Sequence, residues 1–379
     1  MPTDSRRLRF APLLLVLAAA LLASCSSSTV SEPTTAPAAP VWPSLVIGNR
    51  HLCSLDPDHI LECWNSTSSA SAGTALGAGS YDPITKFVHP RGLGPVVMAD
   101  AGDLHTCALT PTGSVMCWGL NMHGEVGDKS TTDRLYPTEV TGVGSTIFVT
   151  ADDSHTCSLN DTGSVWCWGE IALGSVFRSE VPAELQKVPG AVSVYAGFEF
   201  FCALLADKTV QCWGNNEVGQ LGDGTTSPRK TPRAVLAVSD ATYLTVGHHH
   251  ACVLLADKTV QCWGGSGLAQ LGIGVLSKST FPQTVPGVSD VVQLESGDGH
   301  TCALTATGSL FCWGWNEVGQ VGDGSKLNRP LPVEIIEARG AVDLATSDAT
   351  TCVRLSDGDV RCWGDGYGLR PQSIYPSSR

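Results

Sequence analysis

Fourteen of the fifteen cysteines in this 379-residue chain stand in seven pairs, and the members of every pair are ten positions apart. The pairs are Cys53 with Cys63, Cys107 with Cys117, Cys157 with Cys167, Cys202 with Cys212, Cys252 with Cys262, Cys302 with Cys312 and Cys352 with Cys362. Their first members follow one another at intervals of 54, 50, 45, 50, 50 and 50 residues. A fixed period near 50 marks a repeat architecture, in which each unit buries its apolar face on its neighbour. Within a unit the spacing reads as a hairpin. Cys107-Ala108-Leu109-Thr110 and Ser114-Val115-Met116-Cys117 flank Pro111-Thr112-Gly113. Pairing about Thr112 sets Cys107 opposite Cys117, about 4.5–5.5 Å apart at Cα and within disulfide reach. Gly113, Gly163 and Gly308 occupy the left-handed position that such loops require. Zinc sites draw thiolates from closer pairs, so the cysteines are read as seven disulfides and no metal is expected.

The text around the cysteines repeats too. Trp64, Trp118, Trp168, Trp213, Trp263, Trp313 and Trp363 each follow the second cysteine, and Gly follows the Trp in six of seven units. Gly-x-x-His precedes the first cysteine, with His at 51, 105, 155, 250 and 300 and Phe200 or Thr350 elsewhere. Five copies at one structural position suit a hydrogen-bonded strand-to-loop link better than a catalyst, and the Trp residues suit a core. A further strand precedes each His, as in Val192–Ala196, and a Pro-x-x-aliphatic segment such as Pro232 to Val235 supplies a fourth. The third unit is short by five residues in one loop. Four strands per unit and seven units give an all-β chain folded as a seven-bladed β-propeller of four-stranded antiparallel blades. The last segment, Pro371 to Ile374, is expected to cross back beside the first unit and close the ring.

Asn216-Glu217-Val218-Gly219-Gln220-Leu221-Gly222, with near copies at Asn316 to Gly322 and Asn121 to Gly127, adds a second motif to the Gly-x-x-His and Trp-Gly pattern. Together these resemble the regulator of chromosome condensation repeat over about residues 45–379. The resemblance implies a seven-bladed propeller, as the repeat count does. It also implies precedents of two kinds, secreted bacterial propellers that inhibit other proteins and a nuclear guanine-nucleotide exchange factor. The cysteine pairs are a departure that suits an exported branch.

Residues 1–24 read as a signal peptide, with Arg6, Arg7 and Arg9 ahead of the apolar stretch Phe10 to Leu22. Leu22-Ala23-Ser24-Cys25 resembles the bacterial lipobox, which implies lipidation of Cys25. Residues 25–41 follow as a Ser/Thr/Pro/Ala tether, and 42–379 form the propeller. Ser26, and not Asp, follows the cysteine, which by resemblance to enterobacterial sorting rules favours the outer membrane, if the cell has one. Residues 1–24 carry three Arg and one Asp, so 20 basic and 35 acidic residues remain, a formal charge of −15. That opposes nucleic-acid binding.

One turn per unit carries a variable residue after the repeated Gly: Asn49, Asp103, Asp153, Phe198, His248, Asp298 and Asp348. Sevenfold symmetry would gather these on one face as an acidic rim for a cationic partner or ion. His248-His249-His250 is read as turn plus repeat position, and Asp128, Asp223 and Asp323 as turn residues. No nucleotide-cradling loop or nucleophile elbow is present, and no catalytic residue or cofactor is assigned. The reading is a monomeric, membrane-tethered, non-enzymatic propeller for an unidentified protein partner. A channel-face enzyme and an exchange factor are the alternatives, the latter opposed by export and acidic charge.

Overall fold

Seven antiparallel sheets follow one another along the chain, each laid down in sequence order. The computed structural model describes residues 44–49, 51–65, 73–81, 87–172 and 176–374. The stretches expected to be signal peptide and tether, with Cys25, lie outside them. Six sheets have four strands; the first has three, with Val88 bridging to Cys63 where a fourth would lie. The sheets are blades 1 to 7, each carrying one cysteine pair.

The innermost strands are Leu45–Ile47, Met98–Ala101, Thr146–Asp152, Ala191–Gly197, Ala241–Val246, Val291–Ser296 and Ala341–Thr346. Each contacts the next, and Ala341–Thr346 contacts Leu45–Ile47, which closes a ring of seven. The second strands His105–Leu109, Phe200–Leu205 and His300–Thr305 are buried at every position. A blade packed between two others has no wet face at its middle, so these strands are buried without alternation, and the His and Thr among them must find partners inside. Outer strands such as Arg229–Ala234 face water and are polar.

The seven cysteine pairs stand in direct register across the second and third strands of their blades. All are bonded: Cys53 to Cys63, Cys107 to Cys117, Cys157 to Cys167, Cys202 to Cys212, Cys252 to Cys262, Cys302 to Cys312 and Cys352 to Cys362. Their Cα atoms are 4.0 to 4.2 Å apart, closer than ideal hairpin geometry predicts. The Trp-Gly dipeptide has a steric cause. At Gly119, Gly214 and Gly364 φ is +118°, +110° and +99°, and a Cβ would stand 2.2 to 2.4 Å from a carbonyl oxygen of the second strand's entry turn. The preceding Trp enters the space between blades. Trp118, Trp168, Trp263, Trp313 and Trp363 donate Nε1–H to the carbonyls of Ala75, Glu125, Gln220, Gln270 and Gln320 on the preceding blade.

Two expectations need correction. The repeated His links strand to strand across two blades rather than strand to loop. Nε2 of His51, His105, His250 and His300 reaches Oγ1 of Thr106, Thr156, Thr301 and Thr351 on the next blade, at 2.8 to 2.9 Å. The C-terminal strand Gly368–Ser373 does not cross back either. It pairs with Val360–Gly364 as the outer strand of blade 7. Strands are added outward from the channel in every blade, and the chain segment at Val88 takes the outer place in blade 1. Closure instead rests on the inner strands and on a polar clasp, in which Arg354 and Ser44 both bond Asp343.

Candidate binding site at the channel mouth

Each innermost strand ends in a turn at one mouth of the channel, and that turn carries the variable residue. The residue before it, at the strand's end or one past it, is Gly48, Gly102, Gly197, Gly247 and Gly297 in blades 1, 2, 4, 5 and 6; Asp152 and Ser347 replace Gly in blades 3 and 7. Backbone bonds tie neighbouring turns together: Asp103 N–H to Asp153 O at 3.1 Å, Phe198 to His248 at 3.0 Å, His248 to Asp298 at 3.1 Å, and Asp298 to Asp348 at 3.2 Å. At Gly297 a Cβ would lie 2.2 Å from the Ser347 carbonyl, so the close approach of turns requires Gly there.

The carboxylates meet. Asp103, Asp153 and Asp348 present oxygens that all lie within 4.8 Å of one another. Asn49 Nδ2 donates to Asp348 at 3.0 Å and to Asp103 at 3.4 Å. Burial, followed by the charges of Asp103, Asp298 and Asp153, pushes the Asp348 carboxyl up to about 9. Burial lifts Asp298 to about 6 and raises Asp153. Carboxylates this close cannot all ionise, so the cluster holds protons near neutral pH. Across the mouth stand Phe198 and His248 with rings 4.5 Å apart, and His249 is 4.8 Å from His248. Six of the seven rim residues line one cavity of about 140 Å³ leading into the channel; Phe198 is 42 % exposed beside it.

Beneath the rim lies a second polar tier that motif reading missed. Tyr243 Oη donates to Glu295 at 2.9 Å, joining blades 5 and 6. Gln293 bonds the backbone of Leu344 on blade 7. Asp100 accepts the Ala151 N–H of blade 3 at 3.0 Å. Tyr195 packs edge-on against Phe148 and 6.3 Å from Tyr243. Burial pushes Glu295 up to about 8 and Asp100 to about 6, so Glu295 keeps its proton at neutral pH. The signal was available: Asp100, Tyr195 and Glu295 are two positions before the strand-ending residue, Tyr243, Gln293 and Asp343 four before. Strand alternation puts both positions on one face of the strand, and Asp100, Tyr195, Tyr243 and Glu295 line the channel cavity. The tier breaks the sevenfold pattern, as an enzyme would require, yet its hydrogen bonds run to the adjacent blade.

Asp128, Asp223 and Asp323 sit away from the mouth. Each pairs with an arginine, Arg134, Arg229 or Arg329, and accepts from Asn121, Asn216 or Asn316. They staple loops, as turn residues do.

The sequence matches models of the regulator of chromosome condensation (RCC1) repeat at residues 99–125, 191–220, 291–320 and 341–368, and at 209–254, 259–304 and 307–353. It is 25% identical to the Homo sapiens E3 ubiquitin-protein ligase HERC2 over 202 residues, 50% of this chain and 4% of the ligase. It is 28% identical to the Arabidopsis thaliana ultraviolet-B receptor UVR8 over 199 residues, 50% of this chain and 44% of the receptor. The match thus spans less than half the length of either relative. Prp20p from Saccharomyces cerevisiae, whose structure was described with its binding to Gsp1p and histones, superposes with a TM-score of 0.71. That likeness, at 19% identity over 85% of this chain and 87% of Prp20p, concerns the fold. With repeat matches over more than half of its length and seven blades in a ring, the chain belongs to the regulator of chromosome condensation (RCC1) repeat family.

Proposed function

We propose that this chain is a non-enzymatic, protein-binding propeller, exported and held in the cell envelope by lipid on Cys25, that receives a cationic partner at the acidic mouth of its channel. The carrying observation is the convergence of Asp103, Asp153 and Asp348 at one open cavity, with Asp298 on the same rim. A basic group docking there replaces the shared protons and relieves repulsion among the carboxylates, while the chain's overall negative charge steers it in. Protein binding by Prp20p is a precedent on the same fold. Seven bonded cysteine pairs suit an oxidising compartment.

A channel-face enzyme is the second reading, and the protonated Glu295 beside Tyr243 is what favours it. Exchange on a small GTPase is weaker, since export and acidic charge both oppose it. The test is capture from the native envelope by the wild-type chain and by an Asp103→Asn/Asp153→Asn/Asp348→Asn variant. A partner that the variant loses, and that salt elutes, is expected; equal capture by both would sink the mouth as the binding face. In the same cells Cys25→Ala is expected to move the protein out of the membrane fraction, and retention there would remove the anchor.

A further inference from the structure

Inside the channel two kinds of side chain are sorted by blade. Asp100 of blade 2 and Glu295 of blade 6 carry carboxyls, and Tyr195 of blade 4 and Tyr243 of blade 5 stand between them in ring order. Phe148 of blade 3 packs edge-on against Tyr195 at 5.2 Å and completes an aromatic arc. The remaining arc, blades 7 and 1, offers only Ala345 and Val46 at the level of Glu295. Asp100, Tyr195, Tyr243 and Glu295 are each half-buried and all line the channel cavity, so they face its space rather than the packing between blades.

Rings flanked by carboxyls suit an organic cation. Among the described residues the mouth trio is the metal-sized group of ligand atoms, and neither Asp100 nor Glu295 belongs to it. Tyr243 fills one of the roughly four acceptor sites of a carboxylate at Glu295. An ammonium can take others, and the proton that burial holds on Glu295 then leaves to solvent. Asp103, Asp153 and Asp348 form a second anionic level at the rim. Asp100 and Glu295 stand three positions before Asp103 and Asp298, so the levels are at most about 10 Å apart along the strand. Between them the cavity wall is made of small residues, Ala101, Ala151 and Ala196 with Gly102, Gly247 and Gly297. At about 140 Å³ the cavity is smaller than the roughly 300–1,000 Å³ of most small-molecule pockets, so its occupant must be slender.

We infer that the channel binds a linear aliphatic diamine or polyamine, one ammonium held at the rim by Asp103, Asp153 and Asp348 and the other between Asp100 and Glu295 against the rings of Tyr195 and Tyr243. An extended chain advances roughly 1.2 Å per bond, as the backbone does, so about six to eight methylenes span the two levels. A lysine side chain of a protein partner has the same ammonium on a stem of four carbons, too short to reach the lower level from a backbone resting on the rim. The lower position goes beyond the reading of the mouth as a face for a cationic partner; the upper one rests on it.

The test is isothermal titration calorimetry on the purified, oxidised full chain at neutral pH. The ligands are heptamethylenediamine, trimethylenediamine, heptylamine, the neutral heptamethylene glycol and acetyl-Gly-Lys-Gly-amide. One-to-one binding of heptamethylenediamine is expected, with trimethylenediamine and heptylamine about tenfold weaker and no binding of the glycol. Glu295→Gln, which keeps an acceptor for Tyr243, is expected to weaken the diamine about tenfold, and Tyr195→Leu about threefold. The ligand series on the unaltered chain decides even where a variant fails to fold. No binding of the diamine, equal affinity for its short homologue or for the glycol, or unchanged affinity in a folded Glu295→Gln protein would overturn the site. Tighter binding of the lysine peptide than of the diamine would give the channel to a partner's side chain and overturn it too. Envelope capture that depends on the mouth aspartates, alongside no diamine binding, would remove this site and leave the mouth reading intact; failure of both would count against the mouth as a cationic face.

Discussion

At the residue scale the repeat is held by a three-part bridge. Thr351 Oγ1 has one proton, which it donates to the Gln320 carbonyl at 2.8 Å, so it accepts from His300 Nε2–H at 2.9 Å. Trp363 Nε1 donates to the same carbonyl. Burial holds His300 neutral, at a pKa of about 3. Thr351→Val would strand a buried N–H and cost about 1–3 kcal/mol. The pair His300→Phe/Thr351→Ala copies Phe200 and Ala251, which occupy the same places at boundary 4/5. Removing both partners should cost less than removing one, as read from urea midpoints. A double variant less stable than Thr351→Val would contradict the bridge. The five histidines and their Thr neighbours were visible in the repeat, but their direction was not. Spacing along a strand cannot say which blade faces a side chain.

At the element scale the hairpin is the unit that the chain encodes most directly. The ten-residue spacing, a left-handed residue in the loop and a cysteine at each end suffice. The left-handed position is Gly113 at φ +81°, Gly163 at +83° and Gly308 at +77°, but Lys208 at +66° and Lys258 at +68° in blades 4 and 5. Those two hairpins keep the geometry without Gly, which shows the surrounding blade over-determining the turn. Each disulfide closes a short loop that is already native-like, so about 3 kcal/mol is an upper bound on its entropic effect. Cys302→Ala/Cys312→Ala is expected to lower stability by about 1–3 kcal/mol while the blade still folds. Guanidinium titration of the oxidised protein measures this. Loss of folding, or no change at all, would mean that the bond plays another part.

At the scale of the whole molecule the buried acids and bases oppose each other. His51, His105, His250 and His300 have folded pKa values of about 3 to 4, below the unfolded 6.5. Their contribution is complete above pH 6.5 and is lost as pH falls toward 3 to 4. Asp348 and Glu295 are raised to about 9 and about 8. Their contribution is complete below about pH 4 and is lost as pH rises to those values. Above pH 6.5 only the acids still change, so stability should fall by roughly a few kcal/mol between pH 6.5 and 9. Asp348→Asn should flatten that fall, and an unchanged urea-midpoint difference between the two pH values would refute it. The count of blades, the strands within them, the cysteine register and the family could all be read from the chain, because each depends on local spacing repeated seven times. The same spacing placed Asp103, Asp153, Asp298 and Asp348 on a common turn. Folding had to supply the rest: how near those carboxylates come, that Glu295 and Tyr243 meet inside the channel, and that the ring closes through Ser44, Asp343 and Arg354. Each of these joins residues from different repeats, and the distance between repeats is set by ring closure, which leaves no mark in the period of a single unit.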